Sequence, residues 1–309
     1  MSKFGAHISI GRRDGFGEAL KACYNASSPV PVLFALDQNV WPDVISNSPN
    51  TLVIFRTQPN GLDYPSNIYR GDPRIIAEDW FIRSRVVWGK NPAHYYTPIN
   101  EPNPANLEQF DWLNEFDLRL MQLANNAGFH LALDGHSAGT PSDDGGTTRY
   151  QKWSHLLPAL QYAKAHDHLL LLHEYGLFTT LDKSAPDLAL RYRSVLDYLA
   201  LSNADPQVVI SECSDYNGYS NEGAKWLNGV EWYDRQVIGD QRVLGFCAYQ
   251  LGGAENWYKL IPQWRDWVIA HPTPKVEPVG YYGVKLNERY EAELTEFVTE
   301  RGGTVEELA

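Results

Sequence analysis

Short runs of apolar and β-branched residues recur along the 309-residue chain, and each run stops at polar or ionisable residues. Runs of this length and composition are typical of β-strands. Eight of them are predicted, at Phe4–Ser9, Val32–Asp37, Thr51–Thr57, His94–Glu101, Phe129–His136, His168–Tyr175, Gln207–Cys213 and Val243–Gln250. The last five begin at residues 94, 129, 168, 207 and 243, which leaves room between them for the crossover helices that parallel strands need.

The spaces between the later strands carry helical periodicity. Leu107–Ala127 repeats apolar residues at helical spacing and closes on Gly128, a residue type that commonly ends helices. Leu156–Ala165 and Leu188–Leu201 follow the same pattern. Eight strand–helix units predict an α/β protein with a (β/α)8 TIM barrel over residues 1–275, and a doubly wound open sheet is the structural alternative.

Two stretches depart from this repeat. The second and third predicted strands begin at residues 32 and 51, which leaves little space for a helix between them. After residue 275 the pattern changes to an acidic amphipathic stretch, Leu286–Arg301, which ends at Gly302 and Gly303. We therefore predict a short C-terminal helical extension over residues 276–309, following the barrel.

Composition narrows the range of partners. The formal net charge of −12 argues against a nucleic-acid or anionic-membrane partner, whereas neutral polar molecules remain possible substrates. Cys23, Cys213 and Cys247 are an odd number without CxxC spacing, so neither a disulfide framework nor a zinc knuckle is predicted. The N-terminal residues lack the apolar run of a signal peptide. These features predict a cytoplasmic protein, or a secreted one whose leader has been removed, acting as a monomer or weak homo-oligomer.

Nearly every predicted strand ends on a hydrogen-bonding or ionisable side chain. In a (β/α)8 barrel the C-terminal ends of the strands form the active-site face. Polar groups are costly to bury without partners, so a ring of them indicates a polar pocket. The residues at these ends are His7, Asp37, Arg56, Asn100, Glu101, Asp134, His136, His173, Glu174, Glu212 and Gln250.

Two glutamates in this ring are predicted to be catalytic. Glu101 belongs to an Asn-Glu-Pro step at the end of the fourth strand, where Pro102 is expected to push it toward an extended conformation. Glu212 ends the seventh strand, which faces the fourth across a closed barrel. Two carboxyl groups placed in this way can flank one glycosidic bond. Glu174, at the end of the sixth strand, is the alternative nucleophile.

With Asn100, Glu101 and Glu212 at these positions, the chain resembles the retaining (β/α)8 glycoside hydrolases often called clan A. The resemblance implies that Asn100 binds the hydroxyl next to the reacting carbon, that Glu101 is the acid/base and that Glu212 forms a covalent glycosyl-enzyme. It implies hydrolysis of O-glycosidic bonds in an oligo- or polysaccharide, without a metal or cofactor. The charge of Glu212 is expected to raise the pKa of Glu101, which would then hold its proton longer.

The resemblance also has departures. The clan places an arginine on the second strand, whereas Arg56 ends the third; either His173 or Tyr175 could touch the nucleophile. The clan's tryptophan on the eighth strand has no counterpart, and Trp257 on the following loop is its predicted substitute. Flat aromatic rings and polar side chains suit the two faces of a sugar. Further residues predicted to bind substrate are Trp41, His136, Glu174, Tyr216 and Gln250.

Three other functions remain open. Gly135–Gly139 matches the G-x-S-x-G motif of serine esterases, with Ser137 as nucleophile, although the residues after it are turn-rich. His7, His136 and His173 could be ligands of a metal-dependent barrel hydrolase. A barrel that binds carbohydrate without cleaving it is the third. If the protein is a glycosidase, Ser137→Ala is expected to leave turnover nearly unchanged.

Overall fold

Eight parallel strands form the centre of the protein, and helices cover their outer side. The computed structural model describes residues 2–36, 38–58, 63–65, 67–177, 179–215, 223–253 and 256–272. The strands are β1 (Phe4–Ile8), β2 (Val32–Ala35), β3 (Leu52–Arg56), β4 (Tyr95–Thr97), β5 (Ala132–His136), β6 (Leu169–Tyr175), β7 (Val208–Ser214) and β8 (Val243–Leu251). Each lies within or one residue beyond the run that predicted it.

The sheet closes on itself. Its strand order is β4-β3-β2-β1-β8-β7-β6-β5, and β1 pairs with β8, so that the first and last strands lie side by side. Between β4 and β5, a parallel bridge joins Tyr96 to Leu131, and the Tyr96 N–H donates to the carbonyl of His130 at 3.0 Å. The (β/α)8 barrel predicted from the sequence is therefore confirmed, and the doubly wound open sheet is wrong.

The helices follow the strands in the predicted alternation. They are α1 (Phe16–Asn25), α2 (Trp41–Asn47), α3 (Pro73–Lys90), α4 (Leu107–Asn126), α5 (Arg149–His155), α6 (Leu157–Ala165), α7 (Leu181–Ser184), α8 (Tyr192–Ala200), α9 (Gly223–Val237) and α10 (Ile261–Ala270). Gly128, with φ 78°, follows the end of α4 as predicted. The step between β2 and β3 holds a 3-10 turn, Gln38–Val40, and the short helix α2.

Local sequence explains where three of the longer connections become helical. The side chain of Asp72 accepts a hydrogen bond from the N–H of Arg74 at the start of α3, and Asn106 caps α4 in the same way. Thr148 and Gln151 form a reciprocal capping box at the start of α5. Such caps satisfy N–H groups that the first turn of a helix leaves without partners.

Side chains alternate between the two faces of each strand, so the apolar residues form one cluster inside the barrel and one between the strands and the helices. Leu171 and Val209 belong to a small cluster inside the barrel, whereas Ile210 and Cys213 pack in the large core between strands and helices. Side chains alternate along a regular strand, so with Ile210 facing the helices, Glu212 would also face the helices and Cys213 would face the inside of the barrel. The pairing of β7 with β8 shifts its register between Ile210 and Cys213. This irregularity places Glu212 on the inner side of the barrel, because a shift of one residue exchanges the two faces.

Several sequence predictions lie outside the described residues. They concern Asp37, Tyr216 and the C-terminal helical extension at 276–309. Among the helices that the structure describes, none has the length and apolar composition needed to cross a bilayer.

Candidate active site

Glu212 lies at the C-terminal end of β7, inside the mouth of the barrel, with 8% of its surface exposed. The hydroxyl of Tyr175 donates a hydrogen bond of 2.7 Å to its Oε2. Its Oε1 lies 3.7 Å from Nε2 of His7 and 3.8 Å from Nη1 of Arg56. The pairing of β6 with β7 sets His173 directly opposite Glu212. Side chains from β1, β3 and β6 thus surround this carboxylate, and the hydrogen bond from Tyr175 orients it.

The Asn-Glu-Pro step after β4 is a tight turn. Glu101 has φ 48°, in the left-handed region, so the extended conformation predicted for the residue before Pro102 is wrong. The Glu101 N–H donates to the carbonyl of Asp134 on β5 at 2.8 Å, and the hydroxyl of Tyr69 donates to the carbonyl of Pro102. These bonds stabilise a backbone conformation that sterics disfavour, as is common at functional sites.

His173 lies between the two predicted catalytic glutamates. Its Nδ1 is 2.7 Å from Oε1 of Glu101 and 3.6 Å from Oε2 of Glu212. One donor atom from each of these three residues lies within 4.8 Å of the other two. The side chain of Glu101 is 39% exposed, whereas that of Glu212 is 10% exposed. The mouth therefore holds one deep and one accessible carboxyl group, close enough to act on the same bond.

Gly135 makes room for this arrangement. A Cβ atom at this position would lie 2.8 Å from Nε2 of His173 and 2.9 Å from Oδ1 of Asn100. The backbone of Gly135 also has φ 55°, which strains residues that carry a side chain. The side chains of His173 and Asn100 therefore both lie against the β5 backbone at Gly135. The structure thus brings Asn100 to the same pocket as the two glutamates.

The electrostatics of Glu101 differ from the sequence prediction. The pKa of Glu101 is lowered, mainly because His173 hydrogen-bonds its carboxylate, and a hydrogen bond with Ser137 acts in the same direction. The expected rise in the pKa of Glu101 from the charge of Glu212 is therefore wrong, since the hydrogen bond from His173 outweighs the effects that raise it. Burial lowers the pKa of His7 to about 4, so His7 is neutral at physiological pH.

Glu174 does not line the pocket, contrary to the sequence prediction. Its side chain is fully buried on the outer side of β6. There it accepts hydrogen bonds from the N–H groups of Leu190 and Tyr192 and from the hydroxyl of Tyr233. Burial raises the pKa of Glu174. It is one residue from His173, and alternation along a strand sends the two side chains to opposite faces, so Glu174 is a structural residue and no longer a candidate nucleophile.

Two tryptophans predicted to bind substrate lie in the core instead. Trp41 begins α2, where its indole N–H donates to Asn91 at 2.8 Å and its ring packs edge-on against Phe55. Trp257 begins the 3-10 turn after β8 and is 6% exposed within the same large apolar core. Both predictions rested on loop positions after strands, and both loops fold back between strands and helices. Neither indole is brought to the glutamate pair.

His136 and Gln250 lie around the pocket rather than at the two glutamates. Nε2 of His136 is 3.3 Å from a carboxylate oxygen of Asp134, and its ring lies edge-on to Trp153. His136 also lines a cavity of about 160 Å³ beside the Glu101 turn. Gln250, at the end of β8, accepts a hydrogen bond from the hydroxyl of Ser9.

Sequence reasoning missed an aromatic residue at this site. The ring of Tyr249 lies 4.9 Å from that of His7 and 6.3 Å, edge-on, from that of Tyr175. Its neighbour Gln250 was chosen because it ends the predicted strand. The signal for Tyr249 was present, since it is an aromatic residue one position from a predicted strand end.

Among the residues that the structure describes, the fold does not give Ser137 the histidine base that a serine esterase needs. The hydroxyl of Ser137 donates to Oδ1 of Asn103 at 3.1 Å, so its hydrogen-bond partner is an amide and not a histidine. The chain after β5 runs through turns until α5 begins at Arg149, so no helix follows Ser137 to form the strand–turn–helix elbow of esterases.

The metal-hydrolase alternative predicted a site made of His7, His136 and His173. Among the described residues these three do not come together, since the one group of His, Cys, Asp and Glu donors close enough to share an ion is Glu101, His173 and Glu212. His136 instead faces Asp134. The predicted histidine set is therefore not brought together by the fold.

Comparisons with known proteins agree with this architecture. No protein-family model matches the chain, and no curated protein matches it. Among solved structures, it is similar to a glycoside hydrolase family 5 enzyme from Prevotella bryantii B14, with a TM-score of 0.52, 9% identity, and coverage of 87% of this chain and 95% of that one.

A GH5-4 broad-specificity endoglucanase from Clostridium longisporum is similar with a TM-score of 0.51, 12% identity, and coverage of 87% and 95%. A β-glycosidase matches with a TM-score of 0.50, 8% identity, and coverage of 87% and 89%. At identities this low, the likeness establishes the fold: the chain has the (β/α)8 architecture seen in these glycoside hydrolases.

Proposed function

We propose that this protein is a glycoside hydrolase that cleaves O-glycosidic bonds in oligo- or polysaccharides with retention of configuration. Glu212 is the nucleophile and Glu101 the acid/base. The solved structures with similar architecture include an endoglucanase and a β-glycosidase, and we extend from them the substrate class of β-linked glycans. All of the residues to which the proposed mechanism gives a role lie at the mouth of the barrel.

The observation that supports this proposal most directly is the short distance between the carboxyl groups of Glu101 and Glu212. One oxygen of Glu101 and one of Glu212 lie within 4.8 Å of each other, with His173 between them. Retaining glycosidases space their carboxyl groups about 5–5.5 Å apart, whereas inverting enzymes leave about 6.5–9.5 Å for a water molecule. The short separation favours direct attack by one carboxylate over activation of water.

In the first step, the carboxylate of Glu212 attacks the anomeric carbon while Glu101 gives its proton to the leaving oxygen, and the glycosidic bond breaks. Tyr175 hydrogen-bonds one oxygen of Glu212, and the other oxygen lies near His7 and near Arg56, whose positive charge favours the ionised nucleophile. The deep position of Glu212 limits its contact with water, which protects the covalent sugar ester.

In the second step, Glu101 takes a proton from water, and the water oxygen attacks the anomeric carbon and releases Glu212. Glu101 suits this step because its side chain is partly exposed and its pKa is lowered by the bond from His173. The lowered pKa also reduces the fraction of Glu101 that is protonated near neutral pH, and the first step needs the protonated form. We therefore expect hydrolysis to be fastest on the acid side of neutrality.

A substrate screen with matched variants tests this proposal. Wild-type protein, Glu101→Gln and Glu212→Gln should be incubated with β-glucans, β-mannans, xylans and their aryl β-glycosides, with release of reducing ends or phenol as readout. We expect turnover of at least one β-glycoside and a loss of about 10²–10⁴-fold in each variant. Binding without turnover in the wild type would support the non-catalytic barrel instead. Unchanged turnover in either variant would contradict the assignment.

A further inference from the structure

The guanidinium of Arg56 lies between two carboxylates. Its Nη2 is 2.7 Å from Oδ1 of Asp63, whereas its Nη1 is 3.8 Å from Oε1 of Glu212. The first distance is that of a charge-assisted hydrogen bond, and the second is too long for one. Arg56 therefore makes its direct ion pair with Asp63 and acts on Glu212 through its charge across a longer gap.

The two carboxylates differ in their exposure to solvent. The side chain of Asp63 is 42% exposed, whereas those of Arg56 and Glu212 are 8% and 10% exposed. Asp63 belongs to the connection between β3 and α3, and it also accepts a hydrogen bond of 2.5 Å from Nε2 of Gln58. A buried guanidinium needs a partner for its charge. Asp63 supplies that partner from the solvent side of the mouth.

The connection between β3 and α3 also contacts the turn that carries the other glutamate. The hydroxyl of Tyr69, near the end of this connection, donates to the carbonyl of Pro102, the residue after Glu101. Both proposed catalytic glutamates thus have neighbours on one connection. Asp63 therefore belongs to the wall of the pocket, and its ion pair with Arg56 lies beside the reacting groups.

We propose that Asp63 is a positioning residue for Arg56 and, through it, moderates the positive charge that acts on the nucleophile Glu212. The inference rests on the proposed glycosidase function and deepens it. A guanidinium bonded directly to Glu212 would stabilise its negative charge strongly and make it a weaker nucleophile. With Asp63 as its direct partner, Arg56 keeps Glu212 ionised and leaves Oε1 without a hydrogen bond from the guanidinium.

Other titratable groups also face Glu212 and set the background for this effect. They come from four further elements and remain in place in an Asp63 variant. They are His7 on β1, Glu101 after β4, His173 and Tyr175 on β6, and Cys247 on β8. The influence of Asp63 is therefore measured as a difference on a constant background.

The first test compares the pH dependence of kcat/KM for wild type, Asp63→Asn and Asp63→Glu. Asparagine leaves the charge of Arg56 uncompensated, which favours ionised Glu212. The acid limb should therefore move to lower pH by about half a unit at low salt, and by less at high salt. Asp63→Glu keeps the charge and should keep the wild-type limb. The matched control is Asp79→Asn on α3, because Asp79 is also 42% exposed and pairs with Arg83 at 2.9 Å.

A second readout separates the two steps of the reaction. With an oligosaccharide, for which the first step limits turnover, kcat of Asp63→Asn should fall several-fold because Glu212 is a weaker nucleophile. With an activated aryl glycoside, for which the second step limits turnover, kcat should be unchanged or higher because Glu212 leaves more readily. A merely structural role would lower both values alike. An acid limb that stays in place or moves to higher pH in Asp63→Asn would overturn the proposal.

A double-mutant cycle tests whether the effect passes through Arg56. Arg56→Gln removes the positive charge and should move the acid limb to higher pH. Adding Asp63→Asn to this variant should move the limb little further, because the group through which Asp63 acts is gone. Thermal melts establish that each variant is folded. An equal shift from Asp63→Asn in both backgrounds would overturn the role given to Arg56.

A further measurement does not depend on catalysis. In protein labelled with ¹³C at the glutamate carboxyl carbons, the resonance absent from Glu212→Gln identifies Glu212, and its titration can be followed by NMR. The midpoint should move downward in Asp63→Asn and remain in place in Asp63→Glu and Asp79→Asn. If no glycoside is cleaved but this shift occurs, the role of Asp63 is correct and the glycosidase function is wrong. If turnover occurs without the shift, the role of Asp63 is wrong.

Discussion

Nδ1 of His173 lies 2.7 Å from Oε1 of Glu101. An ionised carboxylate only accepts hydrogen bonds, so Nδ1 carries the proton in this contact. The bond lowers the pKa of Glu101 and so favours its base form over its acid form. Because the first step of the proposed reaction needs the acid form, we expect this contact to influence the pH range of the proposed activity more than any other.

We expect His173→Ala to move the alkaline limb of kcat/KM to higher pH. The reason is that the folded protein loses its main stabiliser of ionised Glu101, so the proton is retained at higher pH. The shift should be about one pH unit. A pH–rate series between pH 4 and 9 measures it, with His155→Ala, at a histidine that pairs with Asp111 on α4, as control. A limb that stays in place or moves to lower pH would contradict this interpretation of the contact.

Tyr175→Phe should lower kcat about 10- to 100-fold while leaving the fold intact. The change removes only the hydroxyl that donates to Glu212 at 2.7 Å, and hydrogen bonds to charged groups contribute about 1.5–3 kcal/mol. Steady-state kinetics and a thermal melt separate the two effects. Wild-type kcat in the phenylalanine variant would show that this bond does not orient the nucleophile.

Glu174→Ala should reduce stability rather than chemistry. It leaves the buried N–H groups of Leu190 and Tyr192 and the hydroxyl of Tyr233 without their acceptor, and each unsatisfied group costs about 1–3 kcal/mol. The free energy of unfolding from urea titration measures the loss, and turnover per folded molecule should remain within several-fold of wild type. A stable but inactive variant would restore Glu174 as a catalytic candidate.

The sequence predicted the barrel well because its signals are local. Each strand is a short apolar run, and the longer helices repeat apolar residues at helical spacing. Residues at their ends mark where they start and stop, as Asn106 and Gly128 do for α4. Glu101 and Glu212 were predicted at the mouth of the barrel for a similar reason, since strand ends define the active-site face of a barrel.

Predictions that depended on side-chain direction were less successful. Glu174 and His173 are neighbours in sequence but face opposite sides of β6, and the bulge in β7 that turns Glu212 inward has no evident local signal. Trp41 was assigned to the pocket from its loop position, whereas the short helix α2 carries it into the core. Ser137 was considered as an alternative esterase nucleophile because its flanking glycines match a local motif, whereas its hydrogen-bond partner Asn103 lies on another loop.

Low pH should destabilise the protein because it protonates His168, the residue directly before β6. Burial lowers its pKa to about 3, and its Nδ1 accepts the N–H of Leu131 at 2.8 Å, a position where a proton cannot be added without loss of that bond. The unfolded chain binds this proton near pH 6.5, so stability is present above that pH and is lost as pH falls toward the folded value. We expect a loss on the order of 3 kcal/mol by pH 4 from this group.

His168→Asn keeps an acceptor near the Nδ1 position and removes the titration. Its free energy of unfolding should therefore change less than that of wild type between pH 6.5 and pH 4. His271→Asn, at an exposed histidine, serves as control and should follow the wild-type curve. Equal slopes in wild type and His168→Asn would assign the acid sensitivity to other groups.

The central claim is that Glu212 forms a covalent bond with the sugar during turnover. The most direct test is to incubate the protein with a 2-deoxy-2-fluoro aryl β-glycoside of the sugar that it hydrolyses, and to locate the adduct by intact-mass and peptide mass spectrometry. Our account predicts one added fluorosugar per molecule, on Glu212, formed also by Glu101→Gln when the leaving group is activated. An adduct on Glu101, Glu174 or Ser137, or no adduct from a protein that turns over the parent glycoside, would contradict it.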